Sequence, residues 1–276
     1  MNRNANRLAA GSTCVIQKGR KQMKIGFCAK LDRINEVAAA GFDYIEPPVS
    51  AAAAWTEEEF EQYLRLVKNA PIPVPAFNVL FPGEIALFSP DADERIAAYL
   101  HGAFARVQKL GGHTVVFGSG RSRKRPENLP YADAFRRLTE ITRLIGDIAG
   151  QYGITIVIEP LNRSETNMIN SVAEGACLAA AANHPRVKLL ADYYHIAVEH
   201  QPPEDVDRVG GIAHCHIAAL EGRRAPQKAE EGFKTLFAAM KQTGYEGLIS
   251  VEGGAGDLSK EGPVSVRLLK KLWEEA

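Results

Sequence analysis

The segment ITIVIEP, residues 154–160, opens with five apolar or β-branched residues and then reaches Glu159 and a proline. A continuous run of this kind is typical of a strand that is buried on both faces of a sheet. The polar stretch NRSETN, residues 162–167, follows at once. The sequence therefore predicts a buried strand that carries a carboxylate at its carboxyl end.

Seven similar apolar runs flank this segment, and helical patterns separate them. The runs are KIGFCA (24–29), FDYIEP (42–47), PVPAFNV (73–79), TVVFGS (114–119), VKLLADY (187–193), GIAHCHI (211–217) and GLISVEG (247–253). Among the helical patterns, TEEEFEQYLRLVKNA (56–70) opens with Thr56 and Glu59, which form a capping-box signature. Strands and helices that alternate in this way imply parallel strands with helices on the faces of the sheet.

Eight β–α units in roughly 250 residues match the size of a (β/α)8 barrel. The sequence thus predicts an α/β protein with a single TIM-barrel domain over residues 23–276. An open, doubly wound sheet is the alternative fold, although no GxGxxG motif follows the first run. Residues 1–22 are polar, basic and aperiodic, and they lack the roughly 7–15-residue apolar core of a signal peptide. They are expected to form a disordered or loosely attached extension.

Composition limits the classes of protein to which the chain can belong. The 276 residues include 33 Lys and Arg and 33 Asp and Glu, so the net charge is zero. A nucleic-acid-binding protein is expected to be basic, and only RSRKR (121–125) is locally basic. We interpret this run as a loop at the barrel mouth, either solvated or in contact with an anionic substrate through Arg121 or Arg123. No apolar run reaches the roughly 18 residues of a membrane span, and a cytoplasmic protein without membrane or nucleic-acid partners is predicted.

Each of the last four strands ends on a side chain that can bind a metal. These residues are Glu159, Asp192, His216 and Glu252. In a barrel the carboxyl ends of the strands meet at one mouth, and three clustered carboxylates would repel one another without a cation. An oxygen-rich set with one imidazole suits a divalent ion such as Mn²⁺, Co²⁺ or Mg²⁺ better than an ion that prefers thiolates. His214 lies on the same strand face as His216, one pleat deeper, and is expected to be structural.

Five motifs in residues 159–254 follow one another in an order that resembles a known superfamily. The motifs are EPLNRSET, DYYH, HCHIA, RRAP and VEGG. They are similar to those of the sugar isomerase/epimerase superfamily with a xylose-isomerase-like TIM barrel, above all to ketose 3-epimerases of the D-tagatose and D-psicose (allulose) type. The resemblance covers the domain from about Met23. It implies a metal-dependent epimerase or isomerase of ketoses or related sugars, the same four metal ligands, and a homo-oligomer.

The resemblance also implies three residues that contact the substrate. These are Glu165, His195 and Arg223. One extra residue separates the histidine motif from Arg223, so Arg224 is an alternative for the third position. Where the family often has Pro-Gly, this chain has Pro226-Gln227. The loop that covers one edge of the pocket is therefore expected to have a different shape.

Glu159 and Glu252 are expected to form the catalytic pair. They come from strands five and eight, and inversion of a carbon beside a ketone requires a base on one face and an acid on the other. A divalent cation that binds the carbonyl and the neighbouring hydroxyl oxygen would acidify the proton and hold the enediolate. If Glu165 or His195 moved a proton between oxygens, the site would instead catalyse an aldose–ketose isomerisation of the hydroxypyruvate isomerase type.

Three further functions are alternatives. A lyase on the same scaffold, such as an inosose dehydratase or an enzyme that cleaves 3-oxo-C-glycosides, would begin with the same proton abstraction. An endonuclease IV-like nuclease shares the barrel, but it needs several metals and a larger histidine set than the seven present here. A non-catalytic sugar-binding barrel would not require the complete set of metal-binding side chains. The sequence favours the epimerase or isomerase, with the lyase second.

Overall fold

The computed structural model describes residues 23–276, and the prediction for residues 1–22 lies outside this part of the chain. All eight predicted strands are found within it. They are β1 (Lys24–Cys28), β2 (Tyr44–Glu46), β3 (Ala76–Phe77), β4 (Thr114–Phe117), β5 (Thr155–Ile158), β6 (Val187–Asp192), β7 (Ile212–Ile217) and β8 (Leu248–Val251).

Ten α-helices accompany the strands in the described range. They are α1 (Ile34–Ala39), α2 (Val49–Ala54), α3 (Glu57–Lys68), α4 (Ala92–Lys109), α5 (Tyr131–Gln151), α6 (Val172–Ala182), α7 (Tyr193–Val198), α8 (Asp205–Val209), α9 (Glu231–Gln242) and α10 (Leu258–Glu275). The predicted capping box opens α3, where Thr56 and Glu59 bond to each other's backbone N–H. The apolar pattern does not predict α2, α7 and α8, because helices of five or six residues are too short to show a helical period.

The strands are parallel and follow the order β2-β1-β8-β7-β6-β5-β4-β3. The edge strands β2 and β3 meet through the residues that follow them. The amide of Asn78 donates to the carbonyl of Pro47 at 3.1 Å, and the amide of Val49 donates to the carbonyl of Asn78 at 2.8 Å. The sheet therefore closes into a barrel, and the prediction of a single TIM-barrel domain is confirmed.

β3 contains two residues, whereas the sequence predicts a run over 73–79. Pro73 and Pro75 have no amide hydrogen and cannot donate to a ladder. Pro47 and Pro48 have the same effect after β2. This shortage of donors explains why the barrel closes through connecting residues rather than through paired strands.

The barrel interior has an apolar part and a polar part. Val116, Val157 and Leu190 form a small apolar cluster apart from the main core of strands and helices. The carboxyl ends of the strands contribute polar side chains that are also fully buried, Glu46, His214, His216 and Ser250. The fold thus gathers polar groups in a dry interior beside the mouth, where electrostatic interactions are strong.

The basic run at 121–125 is only in part the solvated loop that the sequence offers as one of two alternatives. Arg123 is fully buried, and its Nη2 and Nη1 donate to the carbonyls of Glu159 and Phe117 at 2.9 and 3.2 Å. A tight turn, in which the amide of Arg123 donates to the carbonyl of Ser119, directs this side chain inward. Lys124 is exposed, so the run has both buried and solvated members. Within residues 23–276 no helix combines the length and apolarity needed to cross a bilayer.

Candidate active site

His216, in β7, lies among the other three strand-end residues that the sequence selects. Its Nδ1 is 3.0 Å from Oε1 of Glu159, 3.7 Å from Oε1 of Glu252 and 3.9 Å from Oδ2 of Asp192. These four residues come from four neighbouring strands, β5 to β8, so the order of the sheet brings their side chains together. We call them the cation group.

The cation group fits one divalent ion. Ligand atoms about 2.1 Å from one ion lie roughly 3 Å apart when adjacent and about 4 Å apart when opposite. The three distances from Nδ1 of His216 fall in or near this range. Glu159 and Asp192 are only 5% and 3% exposed, and buried carboxylates so close together need a positive charge among them. Carboxylates with one imidazole suit ions that prefer oxygen and nitrogen ligands.

Glu46, at the end of β2, is a site residue that the sequence analysis does not identify. Its Oε1 accepts a hydrogen bond from Nε2 of His216 at 2.8 Å. Its Oε2 accepts from Nε2 of His214 at 2.8 Å and from the hydroxyl of Ser250. Both imidazoles therefore carry a hydrogen on Nε2, which leaves Nδ1 of His216 directed at the carboxylates of the cation group. The expected structural role of His214 agrees with this contact.

A repeated tripeptide could have identified Glu46. Ile45-Glu46-Pro47 at the end of β2 repeats Ile158-Glu159-Pro160 at the end of β5. In both places an apolar strand runs into a buried carboxylate, and a proline stops the ladder behind it. The signal that selects Glu159 in the sequence applies equally to Glu46.

The interaction between Glu46 and His216 outweighs the effect of burial on each. Burial acts to raise the pKa of Glu46, but the charges and hydrogen bonds of His216 and His214 prevail and hold that pKa well below its usual range. Burial acts to lower the pKa of His216, but Glu46 and Glu252 prevail and raise that pKa. At neutral pH the two residues form an ion pair, and without a cation the second proton on His216 donates to Glu159.

The carboxyls from β5 and β8 have opposite electrostatic surroundings. Burial, and then the charge of Glu252, raise the pKa of Glu159. Burial also acts to raise the pKa of Glu252. The charge and hydrogen bond of His216 and the guanidinium of Arg223 outweigh it and lower that pKa to about 2. Nη2 of Arg223 donates to Oε2 of Glu252 at 2.5 Å. Two carboxyls whose pKa values are moved apart are typical of an acid and base pair.

Glu159 reaches the mouth because residue 118 is a glycine. A Cβ atom at Gly118 would lie 2.2 Å from Oε2 of Glu159. Arg123 holds the backbone of Glu159 from the other side, through the carbonyl. The carboxylate is thus fixed by the residues that follow β4, the neighbouring strand.

Asp192 uses its two carboxylate oxygens for different contacts. Oδ1 accepts from the amide of His195 at 3.1 Å and caps α7, while Oδ2 faces His216. A cap of this kind binds the amide three residues further on. The spacing in the motif DYYH therefore follows from the cap, which places the side chain of His195 beside the cation group.

The three residues that the resemblance assigns to the substrate form a second cluster. Nη1 of Arg223 donates to Oε1 of Glu165 at 2.8 Å, and its Nη2 is 3.4 Å from Nε2 of His195. Asn162 supports both partners of the arginine. Its side-chain amide is 3.2 Å from Oε1 of Glu165 and 2.9 Å from Nδ1 of His195, and its backbone N–H donates to that Nδ1 at 3.1 Å.

His195 lies close enough to the three carboxylates of the cation group to compete with His216 as a metal ligand. The backbone N–H of Asn162 donates to Nδ1 of His195. Nε2 of His195 must then carry the ring hydrogen, and it has no lone pair for a cation. On Nδ1 of His216 a cation would displace only the second proton and would then find a lone pair, so His216 is the imidazole that fits the ion.

The loop after β7 separates the two candidate arginines. Arg223 contacts the cluster described above and lies over the ring of Tyr194, with 4.8 Å between the guanidinium carbon and the ring centroid. Arg224 points elsewhere and pairs with Glu261 of α10 at 2.8 Å. Gln227, which stands where the family often has glycine, donates to the carbonyl of Glu261. The side chain of Gln227 thus ties this loop to α10.

The sequence profile of the xylose isomerase-like TIM barrel family matches residues 34–272. The chain belongs to this family. Among its curated relatives, the D-psicose 3-epimerase of Agrobacterium fabrum is 28% identical over 228 residues, covering 79% of this chain and 77% of the relative. The 2-oxo-tetronate isomerase of Cupriavidus necator is 30% identical over 239 residues, covering 81% and 86%. The resemblance seen in the motifs is confirmed.

The fold of the family is also found among solved structures. The D-psicose 3-epimerase from Clostridium cellulolyticum H10, crystallised with D-tagatose, superposes with a TM-score of 0.79 and 19% identity. The match covers 91% of this chain and 99% of that one. At this identity the comparison shows a shared barrel over nearly the whole length of both proteins.

Proposed function

We propose that this protein is a divalent-cation-dependent ketose 3-epimerase, which inverts a carbon next to a carbonyl group. The observation that carries the proposal is the arrangement of Glu159 and Glu252. Their Oε1 atoms lie 3.0 and 3.7 Å from the same imidazole nitrogen, and in the cation-free protein their pKa values are shifted in opposite directions. The names of the curated relatives, which are sugar epimerases and isomerases, support the same class of enzyme.

The residues Glu159, Asp192, His216 and Glu252 would hold the cation, and we propose Mn²⁺, with Co²⁺ or Mg²⁺ as alternatives. When bound, such an ion polarises the carbonyl of the substrate and makes the neighbouring C–H proton more acidic. Asp192 and His216 would act only as ligands. Neither is proposed to transfer a proton to or from carbon.

Glu159 and Glu252 would move the proton at carbon. In one direction the Glu252 carboxylate removes the proton from C3 and leaves the electron pair on the enediolate. Glu159 delivers a proton to the opposite face of C3 and is left as the carboxylate. In the reverse direction the two residues exchange roles.

His195, Arg223 and Glu165 would position the sugar. Nε2–H of His195 and Nη2–H of Arg223 are both donors and lie 3.4 Å apart, so they cannot bond to each other. One oxygen acceptor, such as a sugar hydroxyl, would satisfy both donors at once. Glu165, already an acceptor from Arg223, would take a hydrogen bond from a hydroxyl of the substrate.

Isotope exchange tests the proposal. Protein loaded with Mn²⁺ is incubated in D₂O with a panel of ketoses, inososes and 3-oxo-glycosides. We expect deuterium at C3 of a ketose together with inversion, and we expect Glu252→Gln to lose this exchange. Deuterium at C1 would indicate an aldose–ketose isomerase, and elimination products would indicate the lyase. No exchange by the wild-type protein, or full exchange by Glu252→Gln, would contradict the assignment.

An isomerase is the second candidate, and two observations favour it. The relative from Cupriavidus necator, at 30% identity, is named a 2-oxo-tetronate isomerase. Within this chain, Asn162 links Glu165 to His195, so that two groups able to carry a proton lie beside the cation group. Movement of a proton between the substrate oxygens by either group, together with return of the carbon-bound proton to the neighbouring carbon, would give the isomerase reaction.

The expected homo-oligomer and the expected cytoplasmic location stay predictions. Light scattering on the purified full chain would give the oligomeric state. Fractionation of the source cells would give the location.

A further inference from the structure

Glu46 uses both of its oxygens inside the barrel. Oε1 contacts His216, and Oε2 contacts His214 and Ser250. Tyr44, also in β2, donates to the hydroxyl of Ser250 at 2.6 Å. The side chains of this network are fully buried or nearly so, and three donors fix the carboxylate in place.

The ring of His216 has two orientations that fill nearly the same volume, and Glu46 distinguishes them. In the observed orientation Nε2 contacts Glu46, and Nδ1 faces the three carboxylates of the cation group. Rotation of the ring by about 180° would exchange each nitrogen for a carbon atom. Glu46 would then face a C–H group, and the cation group would lose its nitrogen ligand. The hydrogen bond to Glu46 is therefore coupled to the direction of Nδ1.

We infer that Glu46 is a positioning residue that fixes the ring orientation of His216 and thereby sets the affinity of the site for its divalent cation. The inference rests on the proposed function, because it takes His216 as a ligand of the cation. Groups that hold the second nitrogen of a metal-binding histidine typically change metal affinity by about 10–100-fold when they are replaced.

The test compares Co²⁺ binding by the full-length wild-type protein, Glu46→Gln and Tyr44→Phe. Calorimetric titration of the apoprotein with Co²⁺ is expected to show about 10–100-fold weaker binding by Glu46→Gln. Tyr44→Phe is the matched control, because it removes one hydroxyl from the same network and keeps the contact between Glu46 and His216. Its affinity is expected to equal that of the wild-type protein.

A spectroscopic measurement distinguishes a change in the ring orientation of His216 from a general loss of order in the site. In Co²⁺-loaded wild-type protein, the Nε2–H proton of His216 should give a paramagnetically shifted NMR signal that exchanges slowly with solvent. Glu46→Gln should lose or move this signal, while Tyr44→Phe should keep it. If Glu46→Gln does not fold, as judged by circular dichroism, Glu46→Asp is measured in its place, since it keeps the charge but cannot reach His216 equally well.

Two results would overturn the inference alone, with the proposed function intact. One is unchanged Co²⁺ affinity in a folded Glu46 variant, and the other is an equal loss of affinity in Tyr44→Phe. If the wild-type protein itself binds no divalent cation, the proposed function fails together with the inference. The wild-type titration therefore distinguishes the two failures.

Discussion

Arg223 and Arg224 are adjacent residues with different surroundings, and they provide a matched test of the substrate cluster. Arg223 contacts Glu165 and Glu252, whereas Arg224 pairs with Glu261 outside the site. Hydrogen bonds to charged groups contribute about 1.5–3 kcal/mol, so Arg223→Met is expected to lower kcat/KM by about 10–100-fold. Arg224→Met should leave kcat/KM unchanged. Steady-state kinetics on the ketose found by isotope exchange measures kcat/KM of both variants. Equal values for the two variants would show that Arg223 has no specific role in the site.

Arg123 and Lys124 form a second matched pair, and their difference concerns stability. Arg123→Met would leave the carbonyls of Phe117 and Glu159 without their donor, which is expected to reduce the free energy of unfolding by about 2–4 kcal/mol. Lys124 is exposed, so Lys124→Met should change the free energy of unfolding little. Urea denaturation measures both variants. If Arg123→Met left the protein as stable as the wild type, the buried guanidinium would be dispensable.

The sequence identifies single residues well where a strand pattern frames them. Glu159, Asp192 and Glu252 stand out because a carboxylate directly after an apolar run has few structural explanations. Arg123 does not stand out, because its burial depends on a turn that returns the chain against the strand ends. Basic residues in a row look alike in a sequence, and only the fold separates the buried one from its solvated neighbours.

At the level of elements, the end of β4 must stay free of side chains beside Glu159. Gly118→Ala would put a Cβ atom 2.2 Å from Oε2 of Glu159 and displace the carboxylate. We expect kcat to fall at least tenfold, because general acid–base catalysis contributes about 10²–10⁴-fold. Gly102→Ala in α4, where the Cβ would meet nothing within 4 Å, is the control and should keep full activity. It should also gain about 0.5–1 kcal/mol of stability from helix propensity.

Kinetics and thermal unfolding of the two glycine variants test whether activity depends on the observed position of Glu159. Normal activity in Gly118→Ala would show that Glu159 does not need its observed position. A loss of activity in Gly102→Ala would show that activity responds to remote changes in the barrel, and the comparison would then carry no information about Glu159.

Elements could be predicted from the sequence where an apolar pattern marks them. The eight strands lie in apolar runs of six or seven residues, and the long helices repeat their apolar pattern over several turns. The helix α7 has six residues, and its start depends on one hydrogen bond from the amide of His195 to Asp192. That contact is too local to leave a periodic pattern. The sequence places Asp192 at a strand end but does not show that one of its oxygens caps a helix.

For the whole molecule, the cation group predicts that a divalent ion stabilises the folded state. An ion at 100 times its Kd adds about 2.7 kcal/mol to the free energy of unfolding. In a protein of this size that corresponds to a rise in Tm of roughly 5–10 °C. Thermal unfolding with Mn²⁺, with EDTA and with EDTA followed by excess Mn²⁺ measures the effect. Asp192→Asn should show a smaller rise, and equal Tm values with and without the ion in the wild-type protein would contradict the site.

Acid should destabilise the metal-free protein partly through Glu46. The pKa of this residue is held well below its ordinary value of 4.5 in the folded state. The stability that it contributes is therefore fully present above pH 4.5 and is lost as the pH falls, because the unfolded chain takes up a proton first. Urea denaturation in EDTA measures this. Between about pH 5 and about pH 3.5, the urea midpoint of the wild-type protein should decrease more than that of Glu46→Gln. Equal decreases in the urea midpoints of the two proteins would contradict this role of Glu46.

The global architecture was predictable because β–α alternation repeats eight times, and the family match confirms it. The closure between β2 and β3 was not, because it uses loop residues whose contacts leave no pattern. The same limit applies to the site. Sequence spacing places the four side chains of the cation group at one mouth, but it does not reveal that Glu46 holds the ring of His216.

The repeated Ile-Glu-Pro tripeptide has a consequence for how such proteins diversify. The same three residues end β2 and β5, yet Glu46 holds the ring of His216 from outside the cation group, whereas Glu159 belongs to that group. Position around the ring of strands, rather than local sequence, decides the task of each carboxylate. A substitution at a strand end that has room for a side chain can therefore introduce a new chemical group at the shared mouth.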